Sequence, residues 1–359
     1  MLDAILEPFT LKAAFDKIAG AKLLGEDLLE DLSFLRALGR FVVPLDALDR
    51  PPRWDGPLFP EKNGFRVPAL EGKKVGLVAT GGSGAMACVI GVMRACEEAG
   101  LEIVAVSGCS GSALCLAPIV AGLSAREAGE LVLGWRRRDY LDPRWAELLK
   151  LLDRGRDFSG VIIGDAVERL LERDLGRLRL GQLPIPFYAN IWDMHRNEVH
   201  HMGTRTRPDM RLARLVRMAI SLPPYMRPIE VGDMLCADGG VVNIFPVDPL
   251  VDNHPEIDFF VGVNAFHPEN FAGEDATGVM RKTFALLRGS TQTAKALHLE
   301  IARLQLRRIA DRCVMCHPVP YSVVRGAKFF EQFLDRSRWP EFIRAGHHEG
   351  VRALKSLPA

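Results

Sequence analysis

Apolar residues recur along this chain with two periods, and the change from one to the other marks its elements. From Leu2, Ile5, Leu6 and Phe9 to Leu28, Leu29, Leu32 and Leu35 the spacing is helical. A proline-rich stretch from Pro44 to Pro68 reads as an irregular linker. Residues 1–70 are therefore expected to form a helical N-terminal extension with its linker, ahead of a main domain at residues 71–359. That domain opens with a short apolar strand, Lys73 to Ala79. It passes through Thr80-Gly-Gly-Ser-Gly-Ala85 into a helix whose apolar face is Val89, Ile90, Val92, Met93 and Cys96. Gly100 stops this helix, and Ile103 to Val106 is a second buried-strand run.

The order strand, glycine loop, helix, strand implies a parallel sheet with its loops gathered at the strand C-terminal ends. Further on, residues 125 to 180 read as helical and rich in charge. Ile185 to Asp193 reads as a strand with Glu198 to Met202 as its hairpin partner, and Arg207 to Ala219 as a helix. Leu235 to Gly240 is a short strand into a turn, and Asp258 to Asn264 another buried strand. Ala276 to Arg312 is mostly helical, Val314 to His317 a short strand, and Ala327 to Leu354 helix again. The fold class expected from this order is α/β.

Composition changes the picture little. The chain has 359 residues, 48% of them hydrophobic, enough for a sizeable core. The net charge of +1 gives no global pull toward nucleic acid. No apolar run has transmembrane length, and the first residues lack a basic segment followed by an apolar one. The seven scattered cysteines read as reduced thiols, so a cytoplasmic protein is expected. Amphipathic N-terminal helices are suited to packing on the main domain and, less directly, to touching a membrane surface.

Three turns built from small residues carry the candidate chemistry. In Ser107-Gly-Cys-Ser-Gly-Ser112, Ser110 stands at a strand-to-helix corner flanked by Gly108 and Gly111. That is the arrangement of a nucleophile elbow, which exposes a hydroxyl at the positive end of a helix. Gly81-Gly82-Ser83-Gly84 can present backbone N–H groups as an oxyanion hole, with Gly111 as a further donor. In Asp238-Gly239-Gly240 a carboxylate stands beside two glycines that permit close approach. A serine hydroxyl needs a base, and Asp238 serves if it lies within hydrogen-bond reach of Ser110.

These segments, in their order and spacing, resemble the patatin-like phospholipase family. The resemblance covers about residues 73 to 350 and takes in Val75 to Gly84, the Gly91 to Gly100 helix, the serine elbow, and Ala237 to Val247. It extends to Ala189-Asn-Ile-Trp-Asp193 and Met218-Ala-Ile-Ser-Leu-Pro-Pro224. It implies a three-layer α/β/α fold with a mostly parallel central sheet. It also implies hydrolysis of lipid acyl esters by a Ser–Asp dyad without histidine, Ser110 as nucleophile and Asp238 as base. No cofactor, metal or nucleic acid is expected. The family's glycine loop usually reads Gly-Gly-Gly-x-Arg-Gly, whereas Gly81, Gly82, Ser83, Gly84, Ala85 and Met86 stand here, and Ser112 replaces the usual last glycine of the elbow.

Rival readings use the same residues. A lipid-binding or regulatory member with an impaired oxyanion hole fits the altered loop. A Ser-His-Asp esterase would recruit His254, His267, His298 or His317. A dinucleotide site at Gly82-x-Gly84 lacks the acidic residue at the end of the second strand. Cys313-Val-Met-Cys-His317 matches a haem-attachment spacing but reads more simply as a strand. Arg207, Arg211 and Arg214 share a helical face suited to anionic headgroups or to solvent.

Overall fold

The computed structural model describes residues 52, 54–60, 64–144, 159–223, 225–273, 285–324, 332, 333 and 335–358, with no side-chain account of residues 285–292. The expected N-terminal helices at Leu2 to Leu35 lie outside these residues, as do parts of the segments expected to be helical at 145–158, 276–284 and 327–331. Of the expected linker, Leu58, Phe59, Val67 and also Leu70 are buried in the main core.

Eight strands form one sheet in the order β5-β6-β3-β2-β1-β7-β8, with β4 paired to β3 as well. The strands are β1 Lys74–Ala79, β2 Glu102–Gly108, β3 Phe187–Asp193, β4 Glu198–Gly203, β5 Ile229–Val231, β6 Met234–Asp238, β7 Phe259–Val263 and β8 Cys313–Cys316. The five strands β3, β2, β1, β7 and β8 run parallel. β4 and β6 are antiparallel to β3, and β5 to β6. The β1 sequence Val-Gly-Leu-Val-Ala has no polar residue to offer water, as expected of a strand covered on both faces.

Helices cover both faces. The main ones are α1 Cys88–Glu98, α2 Gly111–Val120, α3 Ala125–Gly134, α4 Asp165–Leu175, α5 Leu212–Ala219, α6 Asp248–Asn253, α7 Ala285–Arg307 and α8 Trp339–Lys355. Val75, Leu77 and Ala79 of β1 enter one hydrophobic cluster with residues of α1 to α5 and α8. Val78 enters a second cluster with Leu250 of α6 and with Leu299 and Ala302 of α7. The alternation of side chains along a strand thus feeds two cores, giving the three-layer α/β/α arrangement.

Glycine sets how closely α1 and α8 pack. A Cβ on Gly346 would lie 1.9 Å from the Cys88 carbonyl oxygen, and one on Gly91 2.0 Å from that of Ile343. Beside this seam the Arg94 and His347 side chains both bind the buried Glu98 carboxylate, Arg94 Nε at 2.9 Å and His347 Nε2 at 2.8 Å.

Candidate active site

Two strand ends meet on one edge of β3. β4 occupies the other edge along residues 188–193. β2 pairs with the first part of β3, ending at Gly108 opposite Ala189. β6 runs the opposite way and ends at Asp238 opposite Ile191. β2 and β6 therefore approach each other end to end, with only the level of Asn190 between them. The chain leaving β2 and the chain leaving β6 must both turn off the sheet at the same place.

The β2 chain turns through Ser110. Its backbone, at φ 51° and ψ −122°, lies outside the regions L-residues favour, as a nucleophile elbow requires. Ser112 braces the corner: its Oγ accepts from the Cys109 amide at 2.8 Å and donates to the Cys109 carbonyl at 2.9 Å. Gly108 keeps the turn narrow, because a Cβ there would sit 3.1 Å from the Ala113 nitrogen. The β6 chain turns through Gly239 and Gly240. A Cβ on Gly239 would lie 2.5 Å from the Asn190 carbonyl, and one on Gly240 2.6 Å from Cys109 Sγ. Both glycines are there because strand and elbow leave no room.

At this junction the Ser110 side chain lies near enough to the Asp238 carboxylate to lower its pKa. Asp238 is 1% exposed, and Ser110 is half-buried. The Gly240 amide donates to Asp238 Oδ1 at 2.8 Å, and the Asp238 amide donates to the Ser221 carbonyl at 3.0 Å. Ser221 Oγ is held in turn by the buried Arg217. Burial pushes the Asp238 carboxyl up to about 7, while the nearby Ser110 side chain and the Gly240 amide work to lower it. A carboxylate of that basicity is matched to accepting and returning protons near neutral pH.

The glycine loop lies over the same junction. Gly81 is beside Ser110, since a Cβ on it would come 3.3 Å from that of Ser110. Its amide is taken by the Ile244 carbonyl at 3.2 Å, so Gly81 contributes close approach and not a free donor. Ser83 accepts a left-handed conformation, φ 55°, in the place where the family has glycine. A Cβ on Gly82 would be 2.9 Å from Met86 Sδ, and one on Gly84 1.9 Å from the Gln332 carbonyl. A Cβ on Gly111, the first residue of α2, would meet the Ser83 carbonyl oxygen at 2.2 Å. Loop and elbow are thus in direct backbone contact. Among the described residues the amides of Gly82, Ser83, Gly84 and Gly111 have no backbone partner, which leaves them as candidate donors toward the serine.

The four histidines of the rival triad bind elsewhere. His254 lies between the Tyr188 hydroxyl and the Glu256 carboxylate, each 2.9 Å away. His317 pairs with Asn270 at 3.2 Å. His267 and His298 contact each other at 3.2 Å, and His298 contacts the Gly240 carbonyl at 2.6 Å. Two of the three arginines considered for headgroups face acids of α4: Arg211 binds Glu172 at 2.5 Å and Arg214 binds Glu168 at 2.9 Å. Of the Cys313-to-His317 segment, Cys313–Cys316 is the edge strand β8 and His317 follows it. Sequence reasoning missed the Ser112 brace, the Ser221 anchor and the contact of His298 with the aspartate turn. The first was legible as a hydroxyl at helix position two; the other two carry no local signal.

Comparison with known proteins bears on the domain that contains these residues. Residues 77–251, which include Ser110 and Asp238, match the family model described as patatin-like phospholipase. A lysophospholipase, NTE1, from Cryptococcus neoformans is 30% identical over 187 residues, covering 51% of this chain and 11% of the fungal protein. An uncharacterized NTE-family protein of Mycobacterium tuberculosis is 26% identical over 206 residues, covering 57% of this chain and 53% of that protein. Among solved structures, VipD from Legionella pneumophila aligns at TM-score 0.45 and 16% identity, over 79% of this chain and 67% of that one. The chain thus spans about a tenth and about half of the two curated relatives' lengths. Residues 77–251 of the chain are thus recognised as a patatin-like phospholipase domain.

Proposed function

We propose that this chain is a lipid acyl hydrolase that works through a Ser110–Asp238 dyad and an acyl-enzyme. The observation that carries the reading is the meeting, at two adjoining strand ends, of a strained elbow serine and a buried carboxylate of raised basicity. Asp238 takes the Ser110 proton as Oγ attacks the ester carbonyl carbon. Amides of Gly82, Ser83, Gly84 and Gly111 are the donors assigned to the oxyanion. Collapse of the tetrahedral intermediate breaks the ester C–O bond, and the alcohol leaves with the proton held by Asp238. Water then attacks the acyl-enzyme while Asp238 again takes a proton, and the fatty acid is released as Ser110 is reprotonated. The fungal relative's name makes a lysophospholipid the first natural substrate to try.

Among the described residues no helix is long and apolar enough to cross a membrane. Contact with a lipid surface is peripheral in this reading. The extension expected at residues 1–70 is kept in this reading only ahead of Leu58, because Leu58, Phe59, Val67 and Leu70 lie in the main core. A fluorophosphonate probe followed by peptide mapping tests the mechanism in one step. Labelling at Ser110, lost in Ser110→Ala, is expected, together with loss of p-nitrophenyl acyl ester hydrolysis in folded Ser110→Ala and Asp238→Asn. Full activity in either variant overturns the dyad.

A further inference from the structure

His298, on α7, directs Nε2 at the Gly240 carbonyl oxygen, 2.6 Å away. A carbonyl can only accept, so Nε2 carries the hydrogen and, in the neutral ring, Nδ1 carries the lone pair. That lone pair faces His267 Nε2 at 3.2 Å, which must then be the N–H. The remaining nitrogen, His267 Nδ1, is buried without a hydrogen-bond partner, as an unprotonated nitrogen can be. One tautomer of each ring satisfies the whole chain. His267 is itself fixed, its backbone N–H donating to Asn264 Oδ1 at 3.0 Å. The groups around the pair are Lys295 on α7 and the rings of Phe266 and Phe271, with Asp238 reached only through Gly240. Burial depresses the basicity of both imidazoles, that of His267 to about 3, so both are neutral at ordinary pH.

The same Gly240 whose carbonyl is gripped by His298 gives its amide to Asp238 Oδ1. Gly240 has no side chain of its own to hold it in place. We propose that His298, its tautomer locked by His267, is a positioning residue: it anchors Gly240 so that the Gly240 amide stays on the Asp238 carboxylate and keeps that carboxylate aimed at Ser110. The inference rests on reading Ser110 and Asp238 as the reactive pair. His298 itself has no hydrogen bond to either, so it acts through the glycine.

The test is a carbon-13 titration of the full chain labelled at aspartate carboxyls, with the Asp238 signal assigned by its loss in Asp238→Asn. Without its anchor, Gly240 relinquishes a hydrogen bond that favours the charged carboxylate, and the titration midpoint rises, by roughly one pH unit, in His298→Leu. The turnover number for an acyl ester falls about tenfold with KM unchanged. His298→Gln, whose side-chain amide can still donate to the carbonyl, restores the midpoint. His267→Phe keeps the ring shape but unlocks the tautomer, and raises the midpoint as well; it serves if His298→Leu does not fold. A midpoint that stays put in a folded His298→Leu or His267→Phe overturns the proposal. The titration does not depend on turnover, so the two readings fail separately. A moved midpoint in a chain that hydrolyses no ester sinks the hydrolase and leaves the anchor. Ser110-dependent hydrolysis with an unmoved midpoint sinks the anchor alone.

Discussion

Gly111 lies against Ser83 so closely that a methyl group on its α-carbon would sit 2.2 Å from the Ser83 carbonyl oxygen. The elbow and the glycine loop are therefore one rigid unit, held apart by nothing but hydrogen atoms. Gly111→Ala favours the helix by its propensity, yet it must push the loop away from the serine. A displacement of about 1 Å at a reacting centre costs on the order of 100-fold in rate. Gly111→Ala is expected to retain a cooperative thermal melt while losing ester hydrolysis by about that factor. Near-normal turnover would show that the loop does not serve the serine.

The acid limb of the reaction follows from the burial of Asp238. The base must be ionised to accept the serine proton, and its carboxyl is raised to about 7. A plot of kcat/KM against pH is expected to rise through about pH 7 rather than through the ordinary carboxylate range near 4. A limb near 4 would mean that water reaches the carboxylate.

The same shift has a stability consequence of opposite sense. A carboxyl whose folded pKa is raised binds its proton more tightly folded than unfolded. The stability tied to that proton is complete below the unfolded value of 3.8 and is lost as pH rises through about 7. Asp238→Asn removes the titration. It should melt with the parent protein near pH 4 and exceed it above pH 7, by up to about 4 kcal/mol. Parallel stability curves for the two proteins across this range would refute the assigned shift.

Ser112 stands where the family has glycine, and its hydroxyl satisfies the buried Cys109 amide. Ser112→Ala leaves that amide without a partner and is expected to lower stability by about 1–3 kcal/mol in denaturant unfolding. Ser112→Gly should cost at least as much, since glycine also weakens the first turn of the helix. Equal stability of Ser112→Ala and the parent would mean that water replaces the hydroxyl.

How much of this was legible in the sequence depended on the range of the interaction. The β1–glycine loop–α1–β2–elbow order is local, and period-2 and period-3.6 patterns with glycine punctuation were enough to read it. Strands β3 and β4 were read to within two residues because their pairing is a hairpin. The three-residue strand β5 was missed, being too short to show a period. That Asp238 and Ser110 meet was read from the family resemblance, since nothing local tells that β6 reverses direction and ends level with the end of β2. The Gly81 amide illustrates the limit: a glycine in the loop looks like a donor until the distant Ile244 carbonyl is seen to occupy it. His298 illustrates it further, its contact with the Gly240 carbonyl being invisible in the spacing of α7.

The end-to-end meeting of β2 and β6 also bears on biosynthesis. A ribosome that has released everything through the elbow has produced a serine corner with no base beside it. The partner arrives only when β6 has emerged and zipped backward onto β3, which must already be in place to receive it. In the mechanism proposed above, growing chains of this protein, and fragments broken off before β6, thus lack the pairing on which attack at an ester depends.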